Sequence, residues 1–207
     1  MSFQTPEAIQ AESFRIIDEL LAAYNFPSQN AAIVKRVIHA TGDPSWADEL
    51  VIHPQAVSAA CKAMKAGCPI VTDVQMVRAG INGAKVKALG GKLVCGIKYR
   101  KTSETARKEQ ITRAAAAMRL LAKQWSGGIL AIGNAPSALF EVCQLIRQGK
   151  PAPALIIGVP VGFVGSEESK TVLRELSVPY ITNTSRKGGS PIAVAIVNAL
   201  LELSLQK

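Results

Sequence analysis

The sequence predicts an α/β protein: a mostly parallel sheet with helices on both faces, preceded by an N-terminal helical region. After residue 68, short and nearly continuous apolar segments alternate with helical stretches, which is typical of strands buried on both sides. The chain is also 48% hydrophobic but only 5% aromatic, so aliphatic side chains must fill its core. The 207 residues fit a single domain, with helices at about 6–67 and the α/β part at about 68–207.

The first predicted helix lies within residues 6–24. Its apolar side chains recur every three or four positions and form one face, which we expect to turn inward. These side chains are Ile9, Ile16, Leu20 and Tyr24. Ser13 falls on the same face, so its hydroxyl needs a polar partner there. That partner is either a substrate oxygen or, alternatively, a backbone carbonyl of the preceding helical turn.

A second helix is predicted over about 29–41, with Val34, Val37 and Ile38 inward and Gly42 at its end. A short helix should follow, capped by Asp43 with Pro44 at its first position. Another helix then ends at Gly67. The first third of the chain is therefore predicted to be a helical region.

The rest of the chain predicts five strands, which are the short apolar segments described above. They lie at 69–74, 92–97, 127–134, 154–160 and 178–184. The longest predicted helix between them spans 103–125. Ligands of such folds gather at the carboxyl ends of the strands, so the loops after these segments are the places to search for a site.

Two of those loops are glycine-bearing turns that lead into helices, at 160–170 and 185–195. In the second, Ser190 is expected to cap a helix that Pro191 begins, while Arg186 and Lys187 add positive charge. Gly188 and Gly189 would let backbone N–H groups approach a carboxylate or phosphate. An ordinary strand-to-helix turn uses the same residue types and is the alternative. Neither loop carries the dinucleotide-binding or phosphate-loop fingerprint.

Two histidines are present, His39 and His53. His39 follows Arg36 by three positions, so the two side chains lie about 60° apart on the second helix, beside its inward face. Together they can form the wall of a pocket, although a lone histidine is often only structural. His53 has no such neighbour and is read as structural or exposed. Asp73, at the end of a strand, is either a functional carboxylate or the cap of the next helix.

The chain has 24 Lys and Arg against 15 Asp and Glu, a net charge of +9. Such an excess attracts acidic ligands, but it is also compatible with a merely solvated basic surface. No nucleic-acid motif or aromatic platform accompanies it, so no nucleic-acid partner is expected. The longest apolar run is too short to span a bilayer, and no signal segment is visible. We expect a cytoplasmic, soluble protein with four reduced and mostly buried cysteines.

Five stretches of the sequence together resemble the precorrin-8X methylmutase family of cobalamin biosynthesis. They are "RVIHATGD", "GCPIVTDVQMVRAGI", "AIGNAPSALFEV", "IIGVPVGFVGSEESK" and "GGSPIAVAIVNAL", and the resemblance runs in order from about 13 to 200. It implies an α/β homodimer that moves a methyl group from C-11 to C-12 of ring C in a corrinoid tetrapyrrole. It also implies no redox change, no dissociable cofactor, no protein-bound metal and no membrane partner.

By position, the resemblance implies that His39 is the catalytic histidine and that Ser13 and Arg36 contact substrate. Arg113 matches another arginine that recurs in the family. Three positions depart from the pattern common in the family. Members often have Gly at the position of Gln110, Ser or Thr at that of Ala114, and Gly at that of Ser185. These departures concern loop details and the role of Arg113. They leave the histidine stretch intact.

The expected chemistry is a migration assisted by a proton from His39 to the ring C nitrogen, since an imidazole can donate and recover a proton near neutral pH. Arg36, Arg186 and Lys187 would hold the acetate and propionate arms of the macrocycle. A non-catalytic tetrapyrrole carrier is the main alternative, followed by a basic RNA-binding module and a nucleotide-binding enzyme. The sequence leaves open whether the substrate contains cobalt.

Overall fold

The computed structural model describes residues 5–206, in which helices surround one six-stranded sheet. The helices are α1 (Pro6–Leu20), α2 (Ser28–Thr41), α3 (Trp46–Glu49), α4 (Ala56–Lys65), α5 (Gln75–Gly80), α6 (Gly83–Ala88), α7 (Arg100–Glu109), α8 (Arg113–Leu120), α9 (Ala122–Trp125), α10 (Pro136–Arg147), α11 (Ser166–Arg174) and α12 (Ser190–Leu205). The strands are β1 (Leu50–Ile52), β2 (Pro69–Thr72), β3 (Lys92–Val94), β4 (Ile129–Ile132), β5 (Leu155–Gly158) and β6 (Tyr180–Asn183). This architecture confirms the predicted fold class.

The sheet has the order β1-β6-β5-β4-β2-β3. Strands β2 to β6 are the five predicted strands, and they pair in parallel. Strand β1 pairs antiparallel with β6, placing Leu50 opposite Asn183. The N-terminal helical region therefore also contains a short strand that the sequence pattern did not predict. β1 has only three residues, and none of them is fully buried. Such a segment is too short to show the alternation of apolar and polar residues that predicts a strand.

Helices cover both faces of the sheet, and the two faces form two separate cores. In β4, Ile129 and Ala131 pack into a core shared with α2, α4 and α12, whereas Leu130 and Ile132 pack into a core shared with α8, α10 and α11. This division follows from the alternation of side chains along a strand. We call these the α12 face and the α10 face.

The exposure of α1 differs from the prediction. Four apolar side chains expected to turn inward are instead substantially exposed: Ile9 44%, Ile16 44%, Leu20 51% and Tyr24 38%. The buried side chains of this segment are Ile17 and Leu21. The helix packs against α2 along the Ile17 side, and the wider apolar stripe is left outward.

The predicted helix 103–125 is three helices. Gln110 ends α7 with φ of +52°, and the Thr112 side chain caps α8 by accepting the Ala115 N–H at 3.1 Å. Gln110 is the one non-glycine residue with positive φ in residues 5–206. Glycine adopts this conformation without strain, whereas a residue with a side chain does so at a cost.

Two predicted caps are also different. Helix α12 begins at Ser190, with Gly189 in the capping position at φ of +123°, so Ser190 is not the cap. The short helix begins at Trp46 instead of Pro44, although the Asp43 carboxylate does accept the Ser45 N–H at 3.0 Å. Helix α12 thus begins one residue before the predicted Pro191, whereas α3 begins two residues after the predicted Pro44.

All four cysteines are free thiols, with Cys95 and Cys143 buried and Cys61 and Cys68 partly buried. Burial raises the pKa of the Cys68 thiol to about 11 and that of Cys143 to about 12, so both stay protonated at neutral pH. Within residues 5–206, no helix has the length and apolar character needed to cross a membrane.

Candidate active site

A groove between α1 and α2 brings Ser13 and His39 together. Its volume is about 310 Å³, and its wall is formed by side chains of both helices and of the turn after α2. The apolar part of the wall is Ile16, Ile17, Leu20, Ile38 and Pro44. The exposed stripe of α1 is thus partly a groove wall and not part of the core.

The position of His39 follows from the pattern of α2. Val34, Val37 and Ile38 are buried on the α12 face, as predicted, and His39 is the next residue at the border of that stripe. The imidazole is exposed and stacks on the Phe14 ring, with centroids 5.0 Å apart and planes inclined by 16°. The side chain is therefore accessible to a ligand and has one face fixed by an aromatic ring.

Arg36 lies next to the same aromatic ring. Its guanidinium carbon is 5.3 Å from the Phe14 centroid, and one guanidinium nitrogen is 3.8 Å from the Glu202 carboxylate on α12. Lys85 also pairs with Glu202, so two cations share one carboxylate. Arg36 and Phe14 line a neighbouring depression of about 290 Å³.

Sequence reasoning missed Phe14. The signal was present, because this aromatic residue directly follows Ser13 and lies three positions before the buried Ile17, on the side of α1 that meets α2. A helix-to-helix contact was needed to show that it touches both His39 and Arg36. Ring stacking and the cation–π contact each help to orient the side chains of His39 and Arg36.

The Ser13 hydroxyl donates a hydrogen bond to the Ile9 carbonyl at 2.9 Å. This is the back-bond that the sequence left open as an alternative. The hydroxyl oxygen retains its acceptor lone pairs while making that bond. Ser13 also lines the groove beside His39, so its proximity to the candidate catalytic group does not depend on the bond.

Arg186 and Lys187 lie in a second region, the loop 184–189 that follows β6. The Arg186 guanidinium is exposed, 5.9 Å from the Phe163 ring centroid and 3.5 Å from the Glu167 carboxylate. The Lys187 ammonium is held by the protein's own acidic groups, 2.9 Å from Asp43 and 3.0 Å from Glu49. Its charge is thus balanced locally, whereas that of Arg186 is more accessible.

These contacts connect the loop to the turn after His39. Hydrogen bonds from Lys187 and Ser45 lower the pKa of Asp43 to about 2, and the same partnership raises the pKa of Lys187. Burial raises the pKa of Glu49, but hydrogen bonds from Ser185 and Lys187 outweigh it, and the net pKa is lowered. All three groups stay charged at neutral pH.

Gly188 and Gly189 permit the close approach of loop 184–189 to β5. A Cβ atom on Gly188, where φ is +151°, would lie 2.3 Å from the Val159 carbonyl oxygen. The Gly189 N–H donates to that same oxygen at 2.9 Å. The loop is therefore packed against the end of the strand in a way that only glycine allows.

Arg113 is exposed at the first residue of α8, on the α10 face, whereas His39 lies on the α12 side of the sheet. The cap of its helix, Thr112, shares a hydrogen bond of 2.7 Å with Ser137 at the start of α10. Arg113 is thus near the loop that follows β4. No contact in residues 5–206 joins it to Ser13, Arg36 or His39.

Asp73 does not cap the helix that follows it, which was one of its two predicted roles. Its carboxylate is fully buried and accepts the N–H groups of Gly133, Asn134 and Ala135, at 3.3, 2.8 and 2.8 Å. Burial raises its pKa, and those three bonds act in the opposite direction. Asp73 shapes the turn after β4 instead of capping its own helix, which Val74 precedes.

His53 fits its structural reading. Its Nδ1 accepts the Gln55 N–H at 3.2 Å, and its ring meets Tyr180 edge-on with centroids 5.3 Å apart. The residue joins the end of β1 to the beginning of α4.

Comparison with known proteins identifies one family. The family model described as precorrin-8X methylmutase matches residues 8–203. The chain is 43% identical to the cobalt-precorrin-8 methylmutase of Priestia megaterium, covering 94% of this chain and 87% of that relative. It is 44% identical to the cobalt-precorrin-8 methylmutase of Leptospira interrogans, covering 96% and 94%. A crystal structure of precorrin-8X methyl mutase from Thermus thermophilus matches with a TM-score of 0.87 at 37% identity, covering 95% of this chain and 97% of that one.

Proposed function

The chain belongs to the precorrin-8X methylmutase family, and we propose that it moves a methyl group from C-11 to C-12 of ring C in precorrin-8X or cobalt-precorrin-8. The family makes it an isomerase of cobalamin biosynthesis. The observation that carries the finer assignment is the exposed imidazole of His39, beside Ser13 in the groove between α1 and α2.

In the proposed reaction, the bond between C-11 and the methyl group breaks as the bond to C-12 forms. Electrons rearrange within the conjugated ring system, so no electron is gained or lost. His39 donates a proton to the ring C nitrogen, which draws electron density from the C-11 and C-12 region, and recovers it after migration. General acid assistance of this kind is worth about 10²- to 10⁴-fold in rate.

Basic groups on both sides of His39 would bind the carboxylates of the substrate. Arg36 and Arg186 are the main candidates, because a guanidinium can bind a carboxylate through two parallel hydrogen bonds. Arg36 would exchange its contact with Glu202, at 3.8 Å, for a substrate carboxylate. Lys187 contributes less, because Asp43 and Glu49 already neutralise it. Arg113 would reach only a part of the substrate that extends toward the α10 face.

The groove is smaller than a tetrapyrrole requires. Its volume of about 310 Å³ lies at the lower end of the roughly 300–1,000 Å³ typical of small-molecule pockets. The macrocycle must therefore extend beyond the groove walls. We propose a homodimer in which a second copy covers the exposed α1 stripe and completes the enclosure. Exposed apolar side chains at Ile9, Ile16 and Leu20 support this arrangement.

The function is tested by incubating the purified protein with cobalt-free and cobalt-bound substrate while recording the visible spectrum. Migration of the methyl group changes the conjugated system, so we expect the substrate bands to be replaced by those of a product that persists after the protein is removed. A carrier would shift the bands only while bound, and that outcome would reject the proposed activity. Comparing the two substrates identifies the natural one.

A further inference from the structure

Lys170 is a buried cation that the proposed reaction does not use. It ends the "GFVGSEESK" stretch and has 1% of its surface exposed. Its ammonium donates to the carbonyl oxygens of Ser185 and Lys187, both at 2.6 Å. Lys170 therefore lies beneath the loop 184–189 and holds it at two points.

No carboxylate contacts this ammonium. Among residues 5–206, Lys170 forms no ion pair within 4.0 Å, and the charges of Glu49 and Glu167 act on it only at longer range. Burying a cation without an ionic partner costs free energy, which is why such groups are rare in structural roles. Burial lowers the pKa of Lys170 to about 8, against the raising effect of those two carboxylates.

The two held carbonyls fix the direction of the N–H groups that follow them. In a trans peptide the C=O and the next N–H point in opposite directions, and residues 5–206 contain no cis peptide. The Arg186 and Gly188 N–H groups therefore point away from Lys170. Neither has an acceptor among the described residues, whereas the intervening Lys187 N–H is satisfied by the Ser185 hydroxyl.

We propose that Lys170 is a positioning residue that keeps the N–H groups of Arg186 and Gly188 directed outward, where they bind a carboxylate arm of the macrocycle. This inference rests on the proposed function, because that function supplies the acidic ligand. A cation at the carbonyl end of each peptide also polarises it, and this strengthens the N–H as a donor. The charge of Lys170 thus acts on the ligand through two peptide groups, without contact.

Asn183 makes it possible to separate this role from simple support of the loop. Its Nδ2 also donates to the Ser185 and Lys187 carbonyls, at 3.2 and 3.0 Å. In a Lys170→Gln or Lys170→Met variant these carbonyls therefore keep one donor. The loop can retain its path while losing the buried charge.

The test measures KM and kcat with cobalt-precorrin-8 for the wild type, Lys170→Gln and Lys170→Met, and the control Lys123→Gln, which removes an exposed charge near the opposite edge of the sheet. We expect both Lys170 variants to raise KM roughly 10-fold with kcat within about twofold, and the control to change neither. Hydrogen exchange at residues 184–190 in the free protein should increase only in the Lys170 variants.

The pH dependence gives a second readout. The groups that face Lys170 are Glu49, Glu167, Arg186 and Lys187; the pKa of Glu49 is lowered and that of Lys187 raised. As the pH rises from about 7 to about 9.5, Lys170 loses its proton and the KM of the wild type should rise several-fold, while that of Lys170→Gln stays level. Should neither variant fold, the wild-type profile decides alone.

Several results would overturn the inference. They are a KM of Lys170→Gln within about twofold of the wild type, an equal rise in the control, or a wild-type KM that is flat across this pH range. If the wild type turns over its substrate and one of these results is found, the inference about Lys170 is rejected and the proposed function stands. Absence of wild-type turnover rejects the function instead, and hydrogen exchange then still reports whether Lys170 holds the loop.

Discussion

The groove between α1 and α2 and the loop 184–189 are built in opposite ways. In the groove, His39 is exposed and is oriented by aromatic stacking on Phe14. Within residues 5–206, no side chain forms a hydrogen bond with its ring. In the loop, the Ser185 and Lys187 carbonyls each receive two side-chain donors from below, and the Ser185 hydroxyl and the Lys187 ammonium are also bound. The groove is open and held by few polar contacts, whereas the loop is fixed at two carbonyl groups and two side chains.

This difference separates two tasks. A group that exchanges a proton with a bound ligand must be accessible, and the exposure of His39 meets this requirement of its proposed role. A set of N–H groups that binds a carboxylate works best when its orientation is fixed before the ligand arrives. The contact of Lys187 with Asp43, four residues beyond His39, connects the two regions and fixes their relative position.

The largest expected effect is at the groove. His39→Ala should lower kcat by about 10²- to 10⁴-fold, because it removes the proposed proton donor. His39 is exposed and its main described contact is the stacking on Phe14, so the free energy of unfolding should fall by no more than about 1.5 kcal/mol. Turnover and thermal unfolding measure the two effects. His53→Ala is the matched control and should keep its kcat; near-normal turnover of His39→Ala would exclude the catalytic assignment.

The next effect is at the loop and concerns stability. Gly188→Ala places a Cβ 2.3 Å from the Val159 carbonyl oxygen, at a backbone φ of +151°. We expect a loss of roughly 2–4 kcal/mol in the free energy of unfolding, from steric overlap together with backbone strain. Gly162 has φ of +147° and open space within 4 Å of the position that a Cβ would take, so Gly162→Ala reports the strain alone. Equal losses in denaturant unfolding would show that the close approach is unimportant.

A smaller effect is expected from the ring that orients His39. Phe14→Leu keeps an apolar side chain but removes stacking worth about 0.5–1.5 kcal/mol, so kcat should fall roughly 2- to 10-fold. Phe26→Leu is the control, because Phe26 stacks on Tyr24 at 5.4 Å and does not touch His39. If steady-state kinetics show the same kcat for both variants, Phe14 has no orienting role.

The smallest effect is at the connection between the two regions. The folded-state pKa of Asp43 is about 2, below its ordinary value of 3.8, so its ionised form stabilises the folded protein above about pH 4. That contribution is lost as the pH falls toward 2. The melting temperature of the Asp43→Asn variant should therefore be slightly lower than that of the wild type at neutral pH. Near pH 2 the two melting temperatures should be equal. A difference that persists at low pH would assign the effect to something other than charge.

Much of the site could be predicted because it is local in sequence. Arg36 and His39 share one helix face, and the border of the buried stripe on α2 follows from Val34, Val37 and Ile38 alone. Phe14 and Lys170 could not be assigned in this way. The partners of Phe14 lie 22 and 25 residues away along the chain, and those of Lys170 lie 15 and 17 residues away. No period in the sequence encodes such contacts.

The sequence by itself determined the five parallel strands and the fold class, because alternation between apolar strands and helices is a repeating local pattern. It also determined the candidate catalytic histidine, through a resemblance carried by contiguous stretches. Tertiary structure alone decided which side of α1 is buried, that β1 joins β6, and that Lys170 lies under the loop. These outcomes depend on contacts between segments that are distant in the sequence, and such contacts exist only once the chain has folded.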